Sequence, residues 1–237
     1  MYLEEDRTFD IGYTHILNEK ENNILILNEL KYKFNDVSKI KHNYSQVFQD
    51  LFVLTVLNGK YNGTYLEIGS NDPFYNNNTA LLELNYKWKG LSIELDEQLV
   101  EKFNIYRSNL AICKNALDIN YEKLLDSLSF IDNNIVDYLQ VDCDPAHISF
   151  NVLEKVISSG YKFKVITFEH DYYLDPSIKQ LSRTLLLSQG YTLLVNDVSF
   201  NDKNSFEDWW ILKDYTTNLH VFNNLNSNVN SAFNLFF

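Results

Sequence analysis

The sequence predicts an α/β fold: a mostly parallel seven-stranded sheet, helices on both faces, and an antiparallel hairpin at one edge. Two observations predict it. Short apolar runs alternate with helical segments of roughly 7 to 14 residues, the signature of βαβ units. Polar and acidic residues gather where those runs end, which is where open α/β sheets bind ligands.

The elements follow in order. Val47, Phe48, Leu51 and Leu54 recur at helical spacing within Gln46–Leu57. Gly59 to Gly63 is turn chemistry. Strands are expected at Thr64–Ile68, Leu91–Leu95, Leu110–Ala116, Val136–Asp142 and Phe163–Glu169. Helices are expected between them at Thr79–Asn85, Glu97–Phe103, Tyr121–Leu128 and Ser149–Ser159, the last closed by Gly160. A helix over Pro176–Gln189 ends at Gly190, and Tyr191–Asn196 with Trp209–Leu212 form the edge hairpin. Trp209 and Trp210 are expected to pack in the core or on the edge strand rather than offer a sugar platform. The chain divides into an N-terminal extension, residues 1–43, and a main domain, residues 44–237. The extension carries one apolar stretch, Ile24–Leu27 with Leu30 beyond it, and the tail from Thr217 onward is expected to be loosely held.

Composition narrows the function. The 237 residues, 45% hydrophobic and 22% charged, suit one folded domain with a full core. A net charge of −12 disfavours nucleic acid and anionic membrane surfaces as partners, because both need cationic patches. Cys113 and Cys143 lie outside any zinc-site spacing and are expected to be buried, reduced thiols. The acidic N-terminus does not resemble a signal peptide, and no apolar run is long enough to span a bilayer, so the expected compartment is the cytoplasm.

The strand ends carry the candidate chemistry. The first ends in Glu67-Ile68-Gly69-Ser70-Asn71-Asp72. Gly69 permits a sharp turn and close ligand approach. Glu67, an acid in an apolar strand, needs a cationic or hydrogen-bonding partner. The G-x-G-x-x-G dinucleotide fingerprint is missing. Glu94, ending the second strand, is placed to accept from ribose hydroxyls, whereas neighbouring Asp96 suits a helix start. Asn115 ends the third, where its amide either bonds an adenine edge or makes a simple turn. The fourth ends in Asp142-Cys143-Asp144-Pro145-Ala146-His147 and the fifth in Phe168-Glu169-His170-Asp171-Tyr172-Tyr173. Carboxylates and an imidazole at neighbouring strand ends can act as a general base or a metal site. His170 is the first candidate base, its ordinary pKa being near neutrality.

An ordered set of motifs resembles the FkbM-type methyltransferases. It comprises Tyr44-Ser45-Gln46-Val47-Phe48-Gln49-Asp50, Leu66–Asp72, Asn78-Thr79 with Leu82-Glu83, Trp88–Glu94, Leu139–Asp142 and Glu169-His170-Asp171, spread over about residues 44 to 212. The Asp-Cys-Asp-Pro and Phe-Glu-His-Asp-Tyr-Tyr runs look closest to a viral or bacterial branch, and host cytoplasm is the compartment in the viral case. The resemblance implies a Rossmann-like class I methyltransferase fold and S-adenosylmethionine-dependent O-methylation of a hydroxyl on a small molecule or glycan, most often a sugar. It places Gln46, Asp50, Glu67, Gly69, Ser70 and Asn71 at the cofactor, Glu94 on the ribose, Asn115 and Ala116 by the adenine, and Asp142 beside the transferred methyl. Glu169 and His170 would face the acceptor. Asp142, Glu169 and Asp171 are candidate ligands for Mg²⁺ or Mn²⁺, since oxygen donors suit hard cations. The chain departs from the family's usual Asp-Val-Glu-Gly at the fourth strand and from its glycine-rich first turn. Two rivals are another Rossmann-like nucleotide-cofactor enzyme and a non-catalytic binding domain of the same fold.

Overall fold

A computed structural model describes residues 28–200, 204–212, 214 and 230–237. A single turn of 3-10 helix, Val37–Lys39, leads to helix α1 (Gln49–Val56). Then come β1 (Thr64–Ile68), α2 (Ala80–Tyr86), β2 (Lys89–Glu94), α3 (Glu97–Tyr106), β3 (Leu110–Cys113), α4 (Tyr121–Asp126) and β4 (Ile135–Val141). The chain continues through α5 (Ala146–Ile157), β5 (Lys162–Glu169), α6 (Pro176–Ser188), β6 (Tyr191–Ser199), β7 (Ser205–Leu212), β8 (Asn230–Ser231) and α7 (Ala232–Phe236).

The sheet order is β3-β2-β1-β4-β5-β7-β6-β8. β1 to β5 pair in parallel, and β7 runs antiparallel to both β5 and β6. From β1 the chain proceeds outward to β2 and β3, then returns to β4 on the other side. That reversal opens a crevice above the C-terminal ends of β1 and β4.

Alternation along the strands sorts side chains onto two faces. Tyr65, Tyr138, Val165 and Trp209 pack on one face in a core completed by α1, α2 and α7. Leu66, Leu139, Ile166 and Trp210 pack on the other with α4, α5 and α6. Trp209 stacks on Phe52 of α1 at 4.5 Å, and both tryptophans are fully buried, as core packing requires. Helix starts follow local chemistry. Asp96 caps α3 by accepting from Gln98 and Leu99 N–H, Asn120 caps α4, and Asp175 caps α6, where Pro176 opens the first turn.

Several boundaries differ from expectation. β3 stops at Cys113 because Asn115 turns the chain into a 3-10 turn, Ala116–Asp118, accepting from Leu117 N–H. The hairpin strands are longer than their apolar cores, and the sheet has an eighth strand. The end of the tail is not loosely held: Ala232, Leu235 and Phe236 are buried against Phe48 and Trp209. Of the extension, Leu30, Phe34 and Ile40 join the same core. The Ile24–Leu27 stretch and residues 217–229 lie outside the described residues. Cys113 is exposed rather than buried, at the solvent edge of β3, and Cys143 is half-buried; both are free thiols. Among the described residues no helix is long and apolar enough to cross a membrane.

Candidate active site

The parallel register lines up one row of side chains across the strand ends. Glu67 sits opposite Ser92 and Gln140, Gln140 opposite Thr167, and Glu169 opposite Glu207. Two residues above Glu67, the row reads Glu94, Gly69, Asp142, Glu169 and Glu207, with the carboxyls of Asp142, Glu169 and Glu207 directed to the α1 face.

Gly69 closes β1 with φ +80°. Its N–H donates to Ile93 O at 2.9 Å, and Asp142 N–H donates to Ile68 O at 3.0 Å. A Cβ on Gly69 would lie 1.6 Å from the Asp142 carbonyl oxygen. Glycine is therefore required for β1 and β4 to stay paired at the crevice. Asn71 continues the turn at φ 49° and donates its N–H to Glu94 Oε2 at 2.8 Å. Glu94 Oε1 accepts from Leu95 and Asp96 N–H. Three backbone donors thus fix the position of this carboxylate at the rim.

Two cavities meet here, sharing Gly69, Asn71, Asp142 and Asp144 as walls. The larger, about 340 Å³, lies over β1–β3 and is lined by Ile68, Ile93, Glu94, Leu99, Asn115 and Ala116, among others. It pairs an apolar slot with a few polar groups, the usual make-up of a small-ligand site. The smaller, about 150 Å³, is bounded by Gln46, Gln49, Glu67, Asn78, Gln140 and Glu169, and is almost wholly polar.

Buried carboxyls, Glu67 and Glu207, and half-buried ones, Asp142 and Glu169, surround the smaller chamber. Glu67 Oε2 accepts from Ser92 Oγ at 2.7 Å and Thr79 Oγ1 at 3.0 Å. Its partners are therefore hydroxyls of its own chain, yet burial still lifts it to about 7. Burial also raises Asp142 to about 7, while a hydrogen bond from Glu169 eases its ionisation. Glu169 rises well above the carboxylate range through burial and the charge of Asp142. Of this pair Glu169 keeps its proton and donates it to the Asp142 carboxylate. Glu207, lifted to about 8 by burial, accepts from Trp209 Nε1 at 2.8 Å and Gln49 Nε2 at 3.0 Å. Sequence reasoning missed it, although an acid next to Phe206 and Trp209 needs a partner just as Glu67 does.

Three expected assignments are corrected. His170 does not face the chamber. Adjacent residues on a strand point to opposite faces, so Glu169 facing the chamber sends His170 beneath the sheet. There it is fully buried, accepts Tyr172 N–H at 3.2 Å and lies 3.5 Å from Asp208. Asp50 borders neither cavity. Its carboxylate is saturated by Tyr44, Ser45 and Leu51 N–H and by Ser45 Oγ, and it fixes the loop before α1. Asp142, Glu169 and Asp171 form a chain, Asp142 to Glu169 to Asp171, rather than a compact ligand set. Among the described residues the one His/Cys/Asp/Glu trio with donor atoms within 4.8 Å of each other is His170, Asp197 and Asp208. Arg183 already bridges its two carboxylates at 2.7–2.9 Å and Lys179 bonds Asp197 at 2.8 Å, so cationic side chains occupy the place of a metal. The remaining residues, Gln46, Glu67, Gly69, Ser70, Asn71, Glu94, Asn115, Ala116 and Asp142, line one or both cavities.

The strand order with one antiparallel strand between β5 and β6 decides the fold. It is the Rossmann-like fold of class I methyltransferases. No protein-family model and no curated protein matches the chain. Solved structures similar to it include an rRNA methylase from Streptococcus thermophilus, 16% identical, with 69% of this chain and 92% of that one covered at a TM-score of 0.44. Others are a methyltransferase from Pyrococcus furiosus (14% identity, 83% and 92% covered, TM-score 0.42) and a SAM-dependent methyltransferase from Archaeoglobus fulgidus (15%, 61% and 69%, 0.40).

Proposed function

We propose that the chain is an S-adenosylmethionine-dependent methyltransferase that methylates a hydroxyl of a sugar-like, polyhydroxylated acceptor. The observation that carries this reading is the pair of joined cavities at the β1/β4 crevice, with Glu94 at the rim of one and the Asp142–Glu169 pair in the wall of the other. The residues fit the cofactor. Gly69, which lines both cavities, lets β1 and β4 stay paired beneath them, where any Cβ would strike the Asp142 carbonyl. Glu94 offers a fixed carboxylate to a ribose diol, and Ile93, Leu99 and Ala116 form an apolar slot for a flat base. When bound, S-adenosylmethionine would supply an electrophilic methyl group on sulfur.

The protein's own contribution is orientation and proton handling. Holding the acceptor against Asp142 replaces a bimolecular encounter with a positioned one. An alcohol gives up its proton as it attacks, and Asp142, lifted to about 7, is a base matched to neutral pH. Glu169, donating to Asp142, fixes the orientation of that carboxylate. The amide side chains of Gln46, Gln49, Asn76 and Asn78 suit vicinal hydroxyls. Tyr173, nearly half exposed on the loop after β5 and close to Asp171 and Glu169, supplies a flat surface for sugar C–H faces. The net charge of −12 favours such an acceptor over a polyanion. The FkbM-like motif order supports a hydroxyl as the acceptor group.

Calorimetry with S-adenosylmethionine and with NAD tests the cofactor: binding of NAD alone would favour the rival nucleotide-cofactor enzyme, and binding of neither a non-catalytic domain. Labelled methyl transfer onto a panel of glycans, with and without EDTA, tests acceptor and metal requirement together. Glu94→Ala is expected to weaken S-adenosylmethionine binding by about ten- to a hundredfold, the cost of a charge-assisted hydrogen bond pair. Unchanged affinity would remove Glu94 from the cofactor site.

A further inference from the structure

The smaller chamber has an excess of acidic groups that the cofactor does not offset. Four carboxyl groups, Glu67, Asp142, Asp144 and Glu169, line it, and no Lys, Arg or His does so among the described residues. The cofactor brings two cationic centres, a sulfonium and an ammonium, but also a carboxylate of its own. The chamber therefore keeps an excess of acid after the cofactor is placed.

A second, independent feature points the same way. Ser70 Oγ and Asn78 Oδ1 belong to residues that line this chamber, both more than nine-tenths buried, and neither atom has a hydrogen-bond partner. Buried polar atoms are almost always paired, so unpaired oxygens in a cavity wall mark the place of a ligand donor. Both oxygens can accept, and so can the four carboxyls. A group with several N–H donors and a positive charge satisfies oxygens and charge together. A neutral polyol satisfies only the oxygens.

We propose that the acceptor carries a protonated amine, which the chamber's carboxyls and the Ser70 and Asn78 oxygens hold while a neighbouring hydroxyl is methylated. The substrate class is then an amino sugar or aminocyclitol. The inference rests on the methyl-transfer reading above. A bound ammonium is not a nucleophile, because its lone pair is protonated. The hydroxyl beside it stays neutral and can release its proton to Asp142. Binding such a cation also favours the ionised form of the surrounding carboxyls, so it expels protons from them.

The test uses the full chain loaded with sinefungin, an unreactive analogue of the cofactor, titrated calorimetrically at neutral pH. The probes are deoxystreptamine, a ring bearing ammonium and hydroxyl groups, and myo-inositol, a neutral ring of similar size. Deoxystreptamine is expected to bind at least about thirtyfold more tightly, in keeping with the weight of a buried charge pair. Its binding enthalpy should vary with the ionisation enthalpy of the buffer, reporting proton release, whereas that of inositol should not. Equal affinities, tighter inositol binding, or an amine preference that appears only with added Mg²⁺ would overturn the proposal. Failure of sinefungin to bind would instead strike the methyl-transfer reading, since the unloaded chain can be titrated with the same two rings.

Discussion

Gly69→Ala is expected to abolish cofactor binding and to cost several kcal/mol of stability. The backbone there has φ +80°, a left-handed conformation that costs an L side chain about 1–2 kcal/mol. Steric overlap costs more. The new Cβ would sit 1.6 Å from the Asp142 carbonyl oxygen. That oxygen belongs to backbone, so no rotamer change can relieve the overlap. The ends of β1 and β4 must part, stretching the Asp142 N–H bond to Ile68 O and displacing Asp142 itself. The combined cost belongs among the exceptional single substitutions, above about 4 kcal/mol. Gly160→Ala is the control. It shares a positive φ of 85° but a Cβ there meets nothing within 4 Å, so only the backbone strain remains. Urea unfolding and S-adenosylmethionine calorimetry on both variants would decide the matter. Equal costs for the two alanines, or a Gly69 variant that binds cofactor normally, would mean that this approach of β1 to β4 does not shape the site.

Much of this architecture is legible in the sequence, and what escapes it has a definite cause. The alternation of strand and helix locates β1 to β5 within a few residues, because each strand carries an apolar core bounded by turn chemistry. Strand ends are harder. Asn115 cuts β3 short where the apolar signal still runs on, and Glu207 lies inside β7 where that signal has faded. The largest error, His170, comes from treating Glu169-His170-Asp171 as one cluster. Period-two geometry forbids neighbours in a strand from sharing a face. Applied at Glu169, that rule separates His170 from the chamber and joins it with Asp208 and Arg183 beneath the sheet. The same rule carries Glu207 to the chamber side, opposite Glu169. Asp50 eludes sequence reasoning for a different reason. Its partners are backbone N–H groups of residues 44, 45 and 51, and local capping leaves no mark in composition.

The Asp142–Glu169 pair is expected to govern both rate and stability through one proton inventory. With Asp142 as the base, kcat/KM should rise with pH through about 7, the value to which burial lifts that carboxyl. Asp142→Asn should lower kcat by about 10² to 10⁴ while leaving the fold intact, the usual weight of a positioned general base. Glu169 acts on Asp142 by donating a hydrogen bond. Glu169→Gln keeps a donor and should leave the acid limb near 7, whereas Glu169→Ala removes it and should push the limb upward. A limb that stays put in Glu169→Ala would refute the coupling. The sign for stability follows from the same shifts. Glu67 and Asp142, near 7, and Glu207, near 8, hold protons in the folded state that the unfolded chain sheds above about pH 4. Folding therefore takes up protons between about pH 4 and 8, and stability falls as pH rises across that window, by up to about 1.4 kcal/mol per pH unit for each group. Asp137 and Asp208, held below the ordinary carboxylate range by Lys164 and Lys60 and by Arg183, act in the opposite sense: their stabilisation is lost as pH falls below about 4. The cofactor-free protein should accordingly be most stable on the acid side of neutrality, near the low end of that window. Denaturant unfolding across pH 3 to 9 reads this directly, and Asp142→Asn should flatten the falling limb. A chain whose stability rises steadily from pH 4 to 8 would show that these carboxyls are ionised in the folded state across that window, and the limb of kcat/KM near 7 would then not belong to Asp142.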